Sequence, residues 1–124
     1  MHELAIAQQV IRAVLAEMDR RGAAAVRSID LEIGQLEGLR AETLKRAFQL
    51  EAEGTPLVGA VLNVAIAPAT AFCPSCRAGK SFELPWDPAH GPVRLRCPDC
   101  KGELTLEGGR GWTVRRATMV LEDP

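Results

Sequence analysis

Two Cys-x-x-Cys pairs, Cys73-Pro-Ser-Cys76 and Cys97-Pro-Asp-Cys100, constrain this chain more than any other feature of it. Two residues between thiolates let each pair turn as a tight knuckle whose sulfurs take two corners of a tetrahedron. The twenty residues from Arg77 to Arg96 separate the knuckles, the length of a small hairpin and the spacing of a four-cysteine zinc site. Four sulfur ligands close the sphere of the metal, so Cys73, Cys76, Cys97 and Cys100 read as holding structural Zn(II), with no position left for water or substrate. Two disulfides are the competing reading. Neither pair is expected at the start of a helix that follows a strand, where a thiol is acidified, which argues against a thioredoxin-like redox role. The second knuckle continues as Cys100-Lys101-Gly102, and Gly102 is expected to supply the left-handed turn that aims backbone N–H groups at sulfur.

The cysteines lie in a stretch of distinct composition. Residues 69–111 carry all four of them and five of the eight prolines, with few large apolar residues: Phe72, Phe82, Leu84, Trp86, Val93 and Leu95. That set is too small for an independent core, so metal is expected to organise the segment.

Before it, residues 1–68 show the patterning of a conventional fold. Leu4, Ala7, Ile11, Val14, Leu15 and Met18 recur at steps of three and four, predicting an amphipathic helix over 3–21 that stops at Gly22. Ile29, Leu31 and Ile33 alternate with Ser28, Asp30 and Glu32, the period of a half-buried strand ended by Gly34. A second helix is predicted over 41–53 from Leu44, Ala47, Phe48 and Glu51, and a second strand from Leu62, Val64 and Ile66, running to about Pro68. Trp112 to Leu121 again reads as a strand, without a clear buried parity. Because two strands and two helices make a thin layer, this last segment is expected to return to the first sheet. The fold class is therefore α+β: two helices on a three-stranded mixed sheet, residues 1–68 and 112–124, with an inserted four-cysteine zinc ribbon at 69–111.

Charge narrows the function classes. The formal net charge is −1, and four thiolates on one divalent ion would make it −3, so no basic excess draws the chain to nucleic acid. Around the knuckles Arg77, Lys80, Arg94, Arg96 and Lys101 are offset by Glu83, Asp87, Asp99, Glu103 and Glu107. A zinc-ribbon module binding nucleic acid or a protein scaffold is the alternative from another class, and its mark would be a steep loss of affinity with salt. No nucleophile motif or phosphate loop suggests an enzyme. The N-terminal segment lacks a signal-peptide pattern and no apolar run reaches membrane-spanning length, so no membrane partner is expected and the chain reads as cytoplasmic.

A second metal site is suggested at the extreme N-terminus. The Met1 amine, the deprotonated His2 amide and the His2 imidazole can close adjacent chelate rings, placing three nitrogen donors in one plane. Planar nitrogen donors suit Ni(II) or Cu(II) better than Zn(II). Glu3 can add an oxygen donor or orient the imidazole. The plainer readings are an exposed terminal histidine and a first-turn acid complementing the helix dipole.

Met1-His2-Glu3-Leu4, the amphipathic helix after it, the Leu31-Glu32-Ile33-Gly34 strand end and two Cys-x-x-Cys knuckles before a final strand together resemble the HypA/HybF nickel metallochaperones of hydrogenase maturation, in order along essentially the whole chain. The resemblance implies a nickel-binding α/β domain carrying an inserted zinc domain. Its implied work is to bind Ni(II) as exchangeable cargo and assist its insertion into the large subunit of [NiFe] hydrogenase, with the accessory GTPase HypB as partner and urease accessory proteins as further partners. By position it makes His2 the essential nickel ligand, with the Met1 amine and Glu3 beside it. Some relatives carry an acid six residues after the glycine matching Gly34, but here that position is Arg40, with Glu37 and Glu42 nearby. His90, the only other histidine, reads as an exposed loop residue or, more sharply, as a fourth planar nickel ligand.

Overall fold

The computed structural model describes residues 2–80 and 96–121. Helix α1 (His2–Arg21) leads into strand β1 (Ala23–Gly34), a 3-10 turn (Gln35–Glu37), helix α2 (Ala41–Ala52) and strand β2 (Val61–Ala67). Three short strands follow, β3 (Ala71–Cys73), β4 (Ala78–Lys80) and β5 (Thr105–Leu106), and then the long β6 (Trp112–Leu121). The chain divides into two compact units, residues 1–32, 39–65 and 113–124 in the first, and 33–38 and 66–112 in the second. No helix among the described residues is long and apolar enough to cross a membrane.

In the first unit the sheet is mixed and ordered β2-β1-β6, so the final strand does pair with the first sheet and β1 runs through its centre. α1 packs along α2. The buried face of α1 is Ile6, Ala7, Val10, Ile11, Val14 and Met18, which lies slightly round the helix from the expected stripe, since Leu4 and Leu15 are only half-buried at its edges. α2 contributes Leu44, Phe48 and Ala52, with Leu57 and Leu62 after it, and β1 contributes Val26, Ile29 and Leu31. Each of these large apolar side chains yields roughly 1.5–3 kcal/mol on full burial, so this unit has an ordinary hydrophobic core.

β1 starts five residues earlier than its alternation suggests, because Ala23, Ala24 and Ala25 give no clear period. On the polar face of the sheet, Asn63 donates to Asp30 at 2.9 Å and Arg115 donates to Glu32 at 2.8 Å, cross-strand pairs that tie β2 and β6 to β1. In β6 the half-buried positions pass from Trp112 and Val114 to Ala117 and Met119 across the exposed pair Arg115 and Arg116. The strand therefore has no single buried parity.

The second unit holds a separate sheet ordered β4-β3-β5, with both neighbours antiparallel to β3. Among its described residues Ala71, Cys73, Cys97 and Leu104 form one core cluster, with Leu106 packed against them. Two of the four core members are thus cysteines. Of the apolar residues expected to matter here, Phe72 is half-buried, while Phe82, Leu84, Trp86, Val93 and Leu95 lie outside the described residues.

Candidate metal centre

Each knuckle sits at the end of a short hairpin. β3 and β4 pair Cys73 with Ala78, so residues 74–77 turn over the first cysteine pair. A bridge between Arg96 and Glu103 brackets the second. The two turns close alike: the Arg77 N–H donates to the Cys73 carbonyl at 2.8 Å and the Lys101 N–H to the Cys97 carbonyl at 2.9 Å. The residue just after each pair takes the left-handed conformation, Arg77 with φ 54° and Lys101 with φ 63°.

That corrects the expectation for Gly102. Lys101, not the glycine, makes the left-handed turn. An exposed long-chain residue can do so at a cost of roughly 1–2 kcal/mol. Gly102 instead lets its N–H approach Cys100 Sγ at 3.4 Å, where a Cβ would crowd that sulfur at 3.3 Å.

All four sulfurs lie within 4.8 Å of one another. Cys73 and Cys100 are 3.5 Å apart and Cys76 and Cys97 3.9 Å apart, far beyond the roughly 2.0 Å of a disulfide. A tetrahedron with metal–sulfur bonds of about 2.3 Å has edges of about 3.8 Å, so the donors already stand at coordination spacing. Cys73 and Cys97 are buried; Cys76 and Cys100 face solvent.

Backbone N–H groups are aimed at the sulfurs, from Cys76 to Cys73 Sγ and from Asp99 to Cys97 Sγ, both at 3.4 Å. The backbone N–H of Cys100, with that of Asp99, draws the Cys97 thiol down to about 6. Hydrogen bonding with Cys100 and then Cys73 pushes the Cys76 thiol up to about 12. Binding a metal ion through all four sulfurs therefore has to displace thiol protons. Lys80 is held cationic chiefly by its hydrogen bond to Asp99, with the sulfurs of Cys76 and Cys97 adding to the effect. This partly buried ammonium offsets the charge of a four-thiolate centre. The geometry fits a single metal ion.

The expected N-terminal ligands lie elsewhere in the fold. His2 is the exposed first residue of α1 and Glu3 is half-buried in its first turn. Both belong to the first unit, and the cysteines to the second. Met1 and His90 lie outside the described residues. Glu37 accepts the Gly111 N–H at 2.8 Å, whereas Glu42 is exposed on α2 and only 3.8 Å from Lys45.

Against this geometry, the profile of a family described as "Hydrogenase/urease nickel incorporation, metallochaperone, hypA" matches residues 1–119. The chain belongs to the HypA family. Its HypA relatives include the hydrogenase maturation factor of Chloroflexus aggregans, 37% identical over 81% of this chain and 82% of that protein. That of Methanocaldococcus jannaschii is 32% identical over 99% of this chain and all of the other. The HypA fold is shared as well: the solution structure of the Helicobacter pylori nickel metallochaperone HypA covers 98% of this chain and 100% of its own at a TM-score of 0.67 and 15% identity. A second HypA solution structure gives 0.70, at 17% identity and 98% coverage of both chains. As a HypA protein, this is a nickel metallochaperone of hydrogenase maturation, and the work of the family is metal delivery rather than catalysis.

Proposed function

We propose that this HypA protein carries Ni(II) at its N-terminus and Zn(II) at its four cysteines, and that the two metals do different work. The observation that carries the nickel reading is the adjacency of an exposed His2 and a half-buried Glu3 at the start of α1, in a chain of this family. Imidazole, the Met1 amine and a deprotonated amide offer planar nitrogen donors. The Glu3 carboxylate offsets the partial positive charge of the helix end, which would otherwise disfavour a cation. A site with few protein ligands at an exposed terminus suits a cargo that must be released.

The zinc reading rests on the donor set. Four thiolates at tetrahedral spacing favour Zn(II), and the closed sphere makes that ion a structural element of the fold. Residues 1–68 and 112–124 act as the nickel-binding domain, with 69–111 as the inserted zinc domain. The chain passes nickel stoichiometrically in the cytoplasm to the large subunit of [NiFe] hydrogenase, with HypB as accessory GTPase and urease accessory proteins as a further set of partners.

Nickel titration and metal analysis of untagged wild-type and His2→Ala proteins test the division of labour. One zinc per chain in both, and one nickel per chain in the wild type alone, is the expected result. Nickel retained by His2→Ala, or both metals lost together, would overturn it.

A further inference from the structure

Away from the cysteines, three backbone segments of the second unit meet in hydrogen-bond contact. The Gly34 N–H donates to the Gly111 carbonyl at 2.8 Å, the Leu36 N–H to the Gly109 carbonyl at 2.7 Å and the Glu107 N–H to the Thr70 carbonyl at 2.8 Å. Two side chains from the 3-10 turn complete the collar. Gln35 Oε1 accepts the Ala69 N–H at 2.9 Å, and Glu37 Oε2 accepts the Gly111 N–H at 2.8 Å. The approach is close enough to require glycine. A Cβ on Gly34 would lie 2.1 Å from the Gly109 carbonyl carbon, and Gly109, with φ 87°, would place one 2.6 Å from Ala69 Cα.

The two anchored N–H groups have a particular place in the chain. Ala69 lies where the chain approaches the first knuckle, and Gly111 where it leaves the second. Gln35 and Glu37, two residues apart, therefore grip both ends of the cysteine-bearing segment. None of these bonds uses a cysteine, and the one to Glu37 is accepted by a carboxylate, the stronger kind. Bringing two chain ends together costs entropy that metal binding alone would otherwise have to offset.

We propose that Gln35 and Glu37 are positioning residues for the metal centre, keeping the base of the cysteine-bearing segment closed whether or not metal is bound. The knuckles then remain within reach of one another in the metal-free chain, and metal loss opens the knuckles without opening the base. This rests on the reading of the four cysteines as a metal site.

Amide hydrogen exchange on the full chain, metal-loaded and then stripped with a chelator, tests the collar directly. The Ala69 and Gly111 amides are expected to stay protected in both forms, and exchange at unfolded-chain rates on stripping would overturn the proposal. Zinc release to a chelator supplies the second arm. Gln35→Ala combined with Glu37→Ala should lose zinc on the order of a hundredfold faster than wild type, the effect of about two net hydrogen bonds. Glu37→Gln, whose amide oxygen can accept the same bond, should release zinc at the wild-type rate. Equal rates for wild type and the double variant, or a Glu37→Gln as fast as the double variant, would overturn it. A wild-type chain that took up no zinc would sink the metal assignment instead, and the exchange arm would still decide the collar.

Discussion

The two units of this molecule are stabilised by different means. The first encloses Leu44, Phe48, Ile29, Leu31 and Val10 almost completely, a set of large side chains that interlock as any hydrophobic core does. The second encloses Ala71 and Leu104 with two cysteines. Ordering a residue costs roughly 1.5 kcal/mol and burying one leucine returns at most about 3 kcal/mol, so the described cluster of the second unit offers far less apolar burial than the core of the first. Beside that cluster stand four sulfurs at coordination spacing and the hydrogen bonds of the 3-10 turn. One chain thus combines a unit built round a hydrophobic core with a unit whose described residues gather round four sulfurs.

The largest effect that could break this contrast is removal of a sulfur. Structural four-cysteine zinc contributes about 10 kcal/mol or more of apparent binding free energy near neutral pH. Cys97→Ser should therefore abolish zinc retention and the ordered knuckles, while α1, β1 and α2 keep their native amide spectrum. Heteronuclear NMR with metal analysis reads both at once. If the helices and central strand of the first unit melted with the knuckles, the two units would not be independently stabilised.

The converse substitution sharpens the comparison from the other side. Phe48 is fully buried on α2, and Phe48→Ala should cost roughly 3–5 kcal/mol through lost contacts and the cavity left behind. Against a typical domain stability of about 5–15 kcal/mol, that is a large fraction. Urea unfolding followed through helical signal should show the loss, while zinc retention in native buffer is unchanged. Zinc lost in proportion to helix stability would mean that the cores are coupled.

The same contrast governs how much could be read from sequence. The knuckles were legible because ligand chemistry fixes residue type and spacing, and the helices because burial imposes a period. α1 was placed almost to its ends, yet Ile6 and Val10 were missed as core residues, because several neighbouring rows of apolar side chains satisfy a helical period equally well. The first residues of β1 were hidden by three alanines, which fit either structure. The collar was beyond reach. Gln35 and Glu37 look like ordinary turn residues, and their partners are backbone N–H groups 34 and 74 residues away, which carry no sequence identity. The one available signal was glycine, at Gly34 and in the Gly108, Gly109 and Gly111 cluster, where closely approaching backbones exclude a Cβ. His2 and Glu3 came from the resemblance joined to donor chemistry, since neither residue has a period to betray it.

The smallest effect concerns the polar face of the first sheet, where the Arg115–Glu32 pair lies at the surface. The hydrogen bond from Arg115 holds the Glu32 carboxyl below its ordinary value. A carboxyl that binds protons less tightly in the folded than in the unfolded chain contributes stability above its ordinary value and loses it as the pH falls through the lowered one. Arg115→Ala should therefore shift the urea midpoint slightly at pH 7, and the difference from wild type should close in acid once Glu32 is protonated in both proteins. Exposed pairs of this kind are weak, and here the core beneath carries the unit. A large loss at pH 7, or a difference that persisted in acid, would show Arg115 acting through packing along β6 rather than through its charge. In the second unit the comparable hydrogen bonds, from Ala69 and Gly111 to the 3-10 turn, hold the base of the cysteine-bearing segment, so removing one there should matter more than removing the Arg115 pair does here.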